Sequence, residues 1–125
     1  MFKAKTQSHR DLVVWQKAME LARQCYVLCQ KLPRNEEFGL SAQMRRAAVS
    51  IPSNIAEGHG RVSNAQMRYF LGNARGSLYE LQTQLELASG MGLLPQEEVQ
   101  LLLQQAEDVA RLTNALIASL AESKT

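Results

Sequence analysis

Residues 63–92 read SNAQMRYFLGNARGSLYELQTQLELASGMG. Within this stretch Met67, Leu71, Ala74, Leu78, Leu81, Leu85 and Ala88 recur at alternating steps of four and three. That spacing keeps one apolar stripe on one side of an α-helix for close to six turns and fits no strand. Ser63 offers a hydroxyl cap with Gln66 three residues on as its reciprocal partner, and Gly90 and Gly92 end the run. The pattern predicts a helix over 64–89, long enough to serve as one rod of a bundle.

Three further periodic segments flank it. Over 12–32, Trp15, Ala18, Ala22, Cys25, Cys29 and Leu32 form a seam that Leu21 and Leu28 widen, with Asp11 as the expected cap and Pro33 as the stop. Over 36–58, Leu40, Met44, Ala47, Ile51 and Ile55 form the buried face, and Glu36 and Glu37 sit in the first turn, where the helix dipole favours acids. Pro52 interrupts that segment and predicts a kink, since it donates no N–H and its ring crowds the carbonyl of Ala48. Asn54 faces the apolar side there, and the carbonyls freed at the kink are its expected partners. Gly58 and Gly60 end the segment. Over 95–121, Pro95, Glu97 and Glu98 open a helix striped by Val99, Leu102, Leu103, Ala106, Val109, Ala110, Thr113, Leu116, Ile117 and Leu120. The polar tail ESKT is expected to fray. Four helices joined by short turns give an all-α fold, an antiparallel up-and-down four-helix bundle filling one domain over 1–125.

The whole chain suits that fold. Its 125 residues match one domain, and 46% apolar residues suffice for a core without metal or disulfide. Cys25 and Cys29 lie four apart in the first seam and read as small buried hydrophobes in a reducing compartment. No run of 18 apolar residues occurs and MFKAKTQSHR lacks the apolar stretch of a signal peptide, so the expectation is a cytoplasmic protein without a membrane partner.

Charge is unevenly spread. Residues 1–75 carry 12 Lys/Arg against 5 Asp/Glu, a net of +7, and residues 76–125 carry 2 against 7, a net of −5. Such a molecule can present one basic surface while being nearly neutral overall; the alternative is a dipolar surface that only aids solubility.

Catalytic and metal chemistry find no footing. The histidines, His9 and His59, do not follow a Glu by three, and Glu57 and His59 are two apart, so they diverge on a helix. Ser50, Ser53 and Ser77 have no histidine on their helices to act as a base. No catalytic residue, metal site or cofactor is expected.

The charged residues inside the helices have two readings. In the first, Arg45, Arg75, Glu57 and Glu80, with Asn54, pair across neighbouring helices as a structural network. Alternatively, arginines left unpaired contact phosphate, for which Arg45, Arg46, Arg61, Arg68, Lys17 and Arg23 are the candidates, with Lys3, Lys5, Arg10, Lys31 and Arg34 adding charge. Gly72 and Gly76 lie one turn apart with Thr83 on the same line, off the core stripe. Two mid-helix glycines cost about 1.5–2 kcal/mol relative to alanine, which points either to close packing inside the bundle or to a subunit interface. Leu101 and Leu112, eleven apart and off the last seam, point weakly to an oligomer contact.

Three blocks, DLVVWQKAMELA, FGLSAQMRRAAVSIPSNIAEGHGR and FLGNARGSLYELQTQLELA, resemble a bacterial four-helix-bundle family first noticed in intervening sequences of large-subunit ribosomal RNA genes and often labelled S23 ribosomal protein. The resemblance runs from about Asp11 to Leu94. It implies a homopentameric barrel. A related group in diversity-generating retroelements is similar in fold and binds nucleic acid and a reverse transcriptase through a basic surface. The family's marked positions fall here on Trp15, Leu40, Gln43, Arg45, Arg46, Ala47, Ser50, Pro52, Asn54, Glu57, Gly58, Arg75, Gly76, Ser77, Glu80, Thr83 and Leu85. Gln82 stands where the pattern has an acidic residue, which removes one ion-pair partner. The expected role is therefore a non-catalytic, oligomeric nucleic-acid-binding or adaptor protein acting on structured RNA or DNA. The alternative is a structural or protein-interaction module whose basic residues only hold the assembly together.

Overall fold

A computed structural model describes residues 8–121. The four periodic segments form α1 (Val13–Cys29), α2 (Leu40–His59), α3 (Asn64–Gly90) and α4 (Gln96–Ala121). Each helix packs against two others, α1 on α2, α2 on α3, α3 on α4 and α4 back on α1, and among the described residues the diagonal backbones stay apart. Short links between sequential neighbours make them antiparallel, which is the up-and-down order. The apolar stripes meet along the axis. Leu21, Met44, Ile51, Ile55, Leu71, Leu78, Leu81, Leu85, Val99 and Val109 are fully buried there, each contributing roughly 1.5–3 kcal/mol over exposure. Trp15, Leu40, Met67, Leu103, Leu116, Ile117 and Leu120 seal the edge of this core half-buried.

The helix ends follow local chemistry. Ser63 caps α3, its Oγ accepting from the N–H of Gln66 at 3.1 Å. Gly92 supplies the left-handed backbone (φ 74°) of the turn into α4. At the start of α1 the expected cap is wrong. Asp11 lies in a 3-10 turn (His9–Asp11) capped by Ser8, and Leu12 precedes α1 without a side-chain cap. α1 also stops at Cys29, with Gln30–Leu32 forming a turn before Pro33. α2 begins four residues later than expected, because Arg34–Glu36 form a 3-10 turn of their own. Glu36 then accepts the N–H of Leu40 at 3.1 Å, capping α2 from outside it.

Pro52 is buried inside α2, which runs through it to His59. The Asn54 amide donates not to the carbonyl of Ala48 freed by the proline but to Ser50 O and Ser50 Oγ, both at 2.9 Å. Gly58 lies within α2 and is its point of closest approach to α3: a Cβ there would meet Phe70 Cβ at 3.1 Å and the Met67 carbonyl at 3.2 Å. Gly72 and Gly76 differ. Among the described residues nothing beyond their own helix backbone lies within 4 Å of a Cβ added at either, so crowding among those residues does not explain them. Thr83 is exposed on the same side and its hydroxyl donates to Tyr79 O at 2.8 Å. Leu112 packs against the core edge while Leu101 is 61% exposed, so the two do not form one outward pair.

Candidate functional site

Arg45 and Arg46 follow one another on α2, so they diverge by about 100°, yet both line one open cavity of about 650 Å³. The outer side of α2 is its floor, with Gln43, Arg45, Arg46 and Ser50; Tyr26 of α1 closes one side and Ser77 and Glu80 of α3 the other. The floor is held by hydroxyls. Ser77 Oγ donates to Ser50 Oγ at 2.8 Å, and the Asn54 amide fixes the same oxygen. Arg45 is half-buried, donates from Nη1 to Ser41 Oγ at 3.0 Å and lies 5.9 Å from the centre of the Tyr26 ring. Arg46 is exposed and has no partner among the described residues.

The expected structural network is present only in part: Asn54 is linked through Ser50 to Ser77 across α2 and α3. Glu57 pairs with Arg61 one turn on in sequence, Arg75 donates to Asn114 Oδ1 of α4 at 3.0 Å, and Glu80 meets the Gln84 amide at 3.5 Å. None of these joins Arg45. Among the described residues the other ion pairs are Arg23–Glu20, Arg111–Asp108 and Lys31–Glu98, the last tying the end of α1 to the start of α4. Three candidates for phosphate contact thus have a carboxylate or lie apart from the cavity. Arg23 is paired to Glu20; Arg61 is paired and stacks 4.8 Å from the Phe70 ring centre; Arg68 is exposed, seven residues before Arg75 and so on the α4 side of α3. Lys17 is exposed on α1. Lys3 and Lys5 lie outside the described residues.

Next to this cavity, sharing Tyr26 and Val49 with it, an apolar groove of about 720 Å³ runs between α1 and α2. Trp15, Met19, Val27, Pro52 and Ala56 line it, and His9 meets the Trp15 ring edge-on at 4.9 Å. The sequence reading missed this groove. Its signal was there in Val27 and Val49, apolar residues off both seams, now 62% and 43% exposed.

Beneath Arg45 lie the two thiols. Cys25 Sγ and Cys29 Sγ are 4.0 Å apart and buried, and Cys25 also reaches the Met44 carbonyl at 3.8 Å. The contact with Cys29, then burial, pushes the Cys25 thiol up. Cys29 is held below its ordinary range, first by the hydrogen bond from Cys25, then by the Ser41 hydroxyl and the Arg45 charge, against burial.

A family model described as the 23S rRNA-intervening sequence protein matches residues 10–115. The chain belongs to that family. A search of solved structures aligns it with a protein of unknown function from the S23 ribosomal protein family of Bacteroides thetaiotaomicron, at 26% identity and a TM-score of 0.79, over 84% of this chain and 98% of that one. A search of curated proteins returned no match. The matched region takes in all of α1, α2 and α3 with the cavity between them, and most of α4. Among the described residues no helix is long and apolar enough to cross a membrane, and no three His, Cys, Asp or Glu residues come together as a metal site.

Proposed function

We propose that the chain is a non-catalytic subunit of a cytoplasmic homo-oligomer, a pentamer by the resemblance given above, which holds structured RNA or DNA against the outer surface of α1 and α2. One observation carries the reading: Arg45 and Arg46 open onto one concave face with no carboxylate paired to either. Phosphate oxygens are the acceptors that such unpaired guanidinium groups suit. Glu97, Glu98, Glu107 and Asp108 make α4 the acidic side, and Lys17, seven residues before the Gln24 that bonds Gln105 of α4, belongs to that side and not to the cavity. Filter binding of an RNA hairpin and a DNA duplex at several salt concentrations tests it. Log affinity should fall linearly with log salt, and replacing both Arg45 and Arg46 by Gln should lower the slope by about 2. No retention at low salt, or a slope near zero, sinks the proposal.

The apolar groove favours a second reading, a protein-interaction module. By analogy with the retroelement proteins its partner would be a reverse transcriptase. Recovery of one stoichiometric protein after nuclease treatment of a native pull-down supports this reading; loss of every partner on that treatment removes it.

A further inference from the structure

The buried thiol pair has a use that neither core packing nor nucleic-acid binding requires. Cys25 and Cys29 stand one turn apart on α1 with their sulfurs 4.0 Å from each other. At the ~2.3 Å length of a metal–thiolate bond, an ion between two sulfurs needs them about 4.6 Å apart if the S–metal–S angle is straight and about 4.0 Å apart if it is bent to about 120°. With two ligands the straight angle applies, so the sulfurs have to part by about 0.6 Å, a small change of side-chain torsion. Because the described residues bring no third His, Cys, Asp or Glu to the pair, an ion that needs four ligands is not served. A soft monovalent ion content with two thiolates is.

We infer that Cys25 and Cys29 form a dithiol site for copper(I), with Arg45 as its counter-charge. On binding, each thiol releases its proton to solvent and forms one sulfur–copper bond, so two thiolates and one Cu⁺ leave a complex of net charge −1. No electron is transferred. A buried anion of that kind needs a nearby cation and hydrogen-bond donors. Both are at hand on the facing stretch of α2, whose Met44 carbonyl meets Cys25: the buried Ser41 hydroxyl, three residues before Met44, takes a hydrogen bond from Arg45, whose guanidinium has no carboxylate of its own. Cys29 is the last residue of α1, followed by the turn at Gln30, so loosening of that one turn exposes the site without opening the bundle.

The test is a titration of the full, reduced chain with copper(I) under oxygen-free conditions, in competition with a chromophoric copper(I) chelator. The expected result is one copper per chain with the far-ultraviolet helix signal unchanged. Cys29→Ser and Cys25→Ala should each weaken retention by at least about 100-fold, and Arg45→Gln by about 10-fold with both thiols still titratable. X-ray absorption on the copper-loaded wild-type chain keeps the test decisive if a cysteine variant fails to fold. A shell of two sulfurs supports the site, and a shell of nitrogen and oxygen, or one with a third thiolate sulfur that a chain with two cysteines cannot supply, overturns it. Copper left wholly with the chelator, equal retention by Cys29→Ser, or uptake accompanied by loss of helix would each overturn it as well.

Discussion

Gly58 and Gly76 belong to the same helix pair and have opposite surroundings. A methyl at Gly58 would press on Phe70 and the Met67 backbone, whereas a methyl at Gly76 would meet no other helix among the described residues. The first glycine is explained by the fold: α2 and α3 can close only if no side chain intervenes. The second, with Gly72, makes its helix less stable and gives the subunit nothing in return. The comparison extends to whole faces. The inward sides of α2 and α3 are filled by Ile51, Ile55, Leu71 and Leu78, while the outward sides carry unpaired arginines, Tyr69, Tyr79 and the open glycine line. An outward face whose composition the isolated subunit does not explain is where a second molecule is to be sought.

The contrast is sharpest at Ile51 and Val49, two residues apart on α2. Ile51→Ala removes a fully buried side chain from the core and should lower unfolding free energy by about 2–5 kcal/mol, whereas Val49→Ala should change it by less than about 0.5 kcal/mol. Urea unfolding followed by circular dichroism measures both, and equal losses would break the division into inner and outer faces. Gly58→Ala comes next. The crowded Cβ should cost about 1–3 kcal/mol, and a variant as stable as the parent would mean that Phe70 and Met67 move aside freely. Gly76→Ala has the opposite sign, a gain of nearly 1 kcal/mol from helix propensity alone. If this face is covered by another subunit, the same substitution should shift the assembly to smaller species in light scattering while helix content is kept. An unchanged mass would leave the glycine line without a role in assembly.

The smallest effect is a dependence on pH. An unfolded thiol titrates near about 8.5. Cys29 is held below that value in the fold, so approaching it from below the native chain holds fewer protons than the unfolded one and stability rises with pH. Cys25 is pushed above it, so beyond it the unfolded chain holds fewer protons and stability falls. Urea midpoints should therefore peak near the ordinary thiol value, and Cys25→Ala should remove the alkaline fall. A falling limb that survives in this variant would assign it to other groups.

Much of the bundle was legible because helical periodicity is a local property. The stripes from Met67 to Ala88 and from Val99 to Leu120 could be read without knowing what they face. The failures came where a residue had a choice of partners. Asp11 was the cap expected, but Ser8, three residues earlier, caps the 3-10 turn that takes Asp11 in. Glu36 was placed inside α2 and instead caps it from the preceding turn. The ionic network failed for a related reason. Pairing across helices depends on their axial register, which periodicity does not encode, so Glu57 found Arg61 on its own chain segment and Arg75 found Asn114. The cavity beside Arg45 and Arg46 was half legible. Its α2 residues stood out as charges, but Tyr26, Ser77 and Glu80 reach it only through the sideways placement of α1 and α3.

The cyclic order of packing has a consequence for how the chain can be recut. Since α4 returns antiparallel to α1, the beginning of α1 and the end of α4 lie at the same end of the molecule on neighbouring helices, with the longer α4 (26 residues against 17) reaching past the start of α1. A flexible glycine–serine linker can join them. The polypeptide can then be opened at the short exposed link after α2, residues 60–63, and started at Asn64 with every helix keeping its two neighbours. Chain order is thus a removable feature of this bundle, while the ring of four contacts is not.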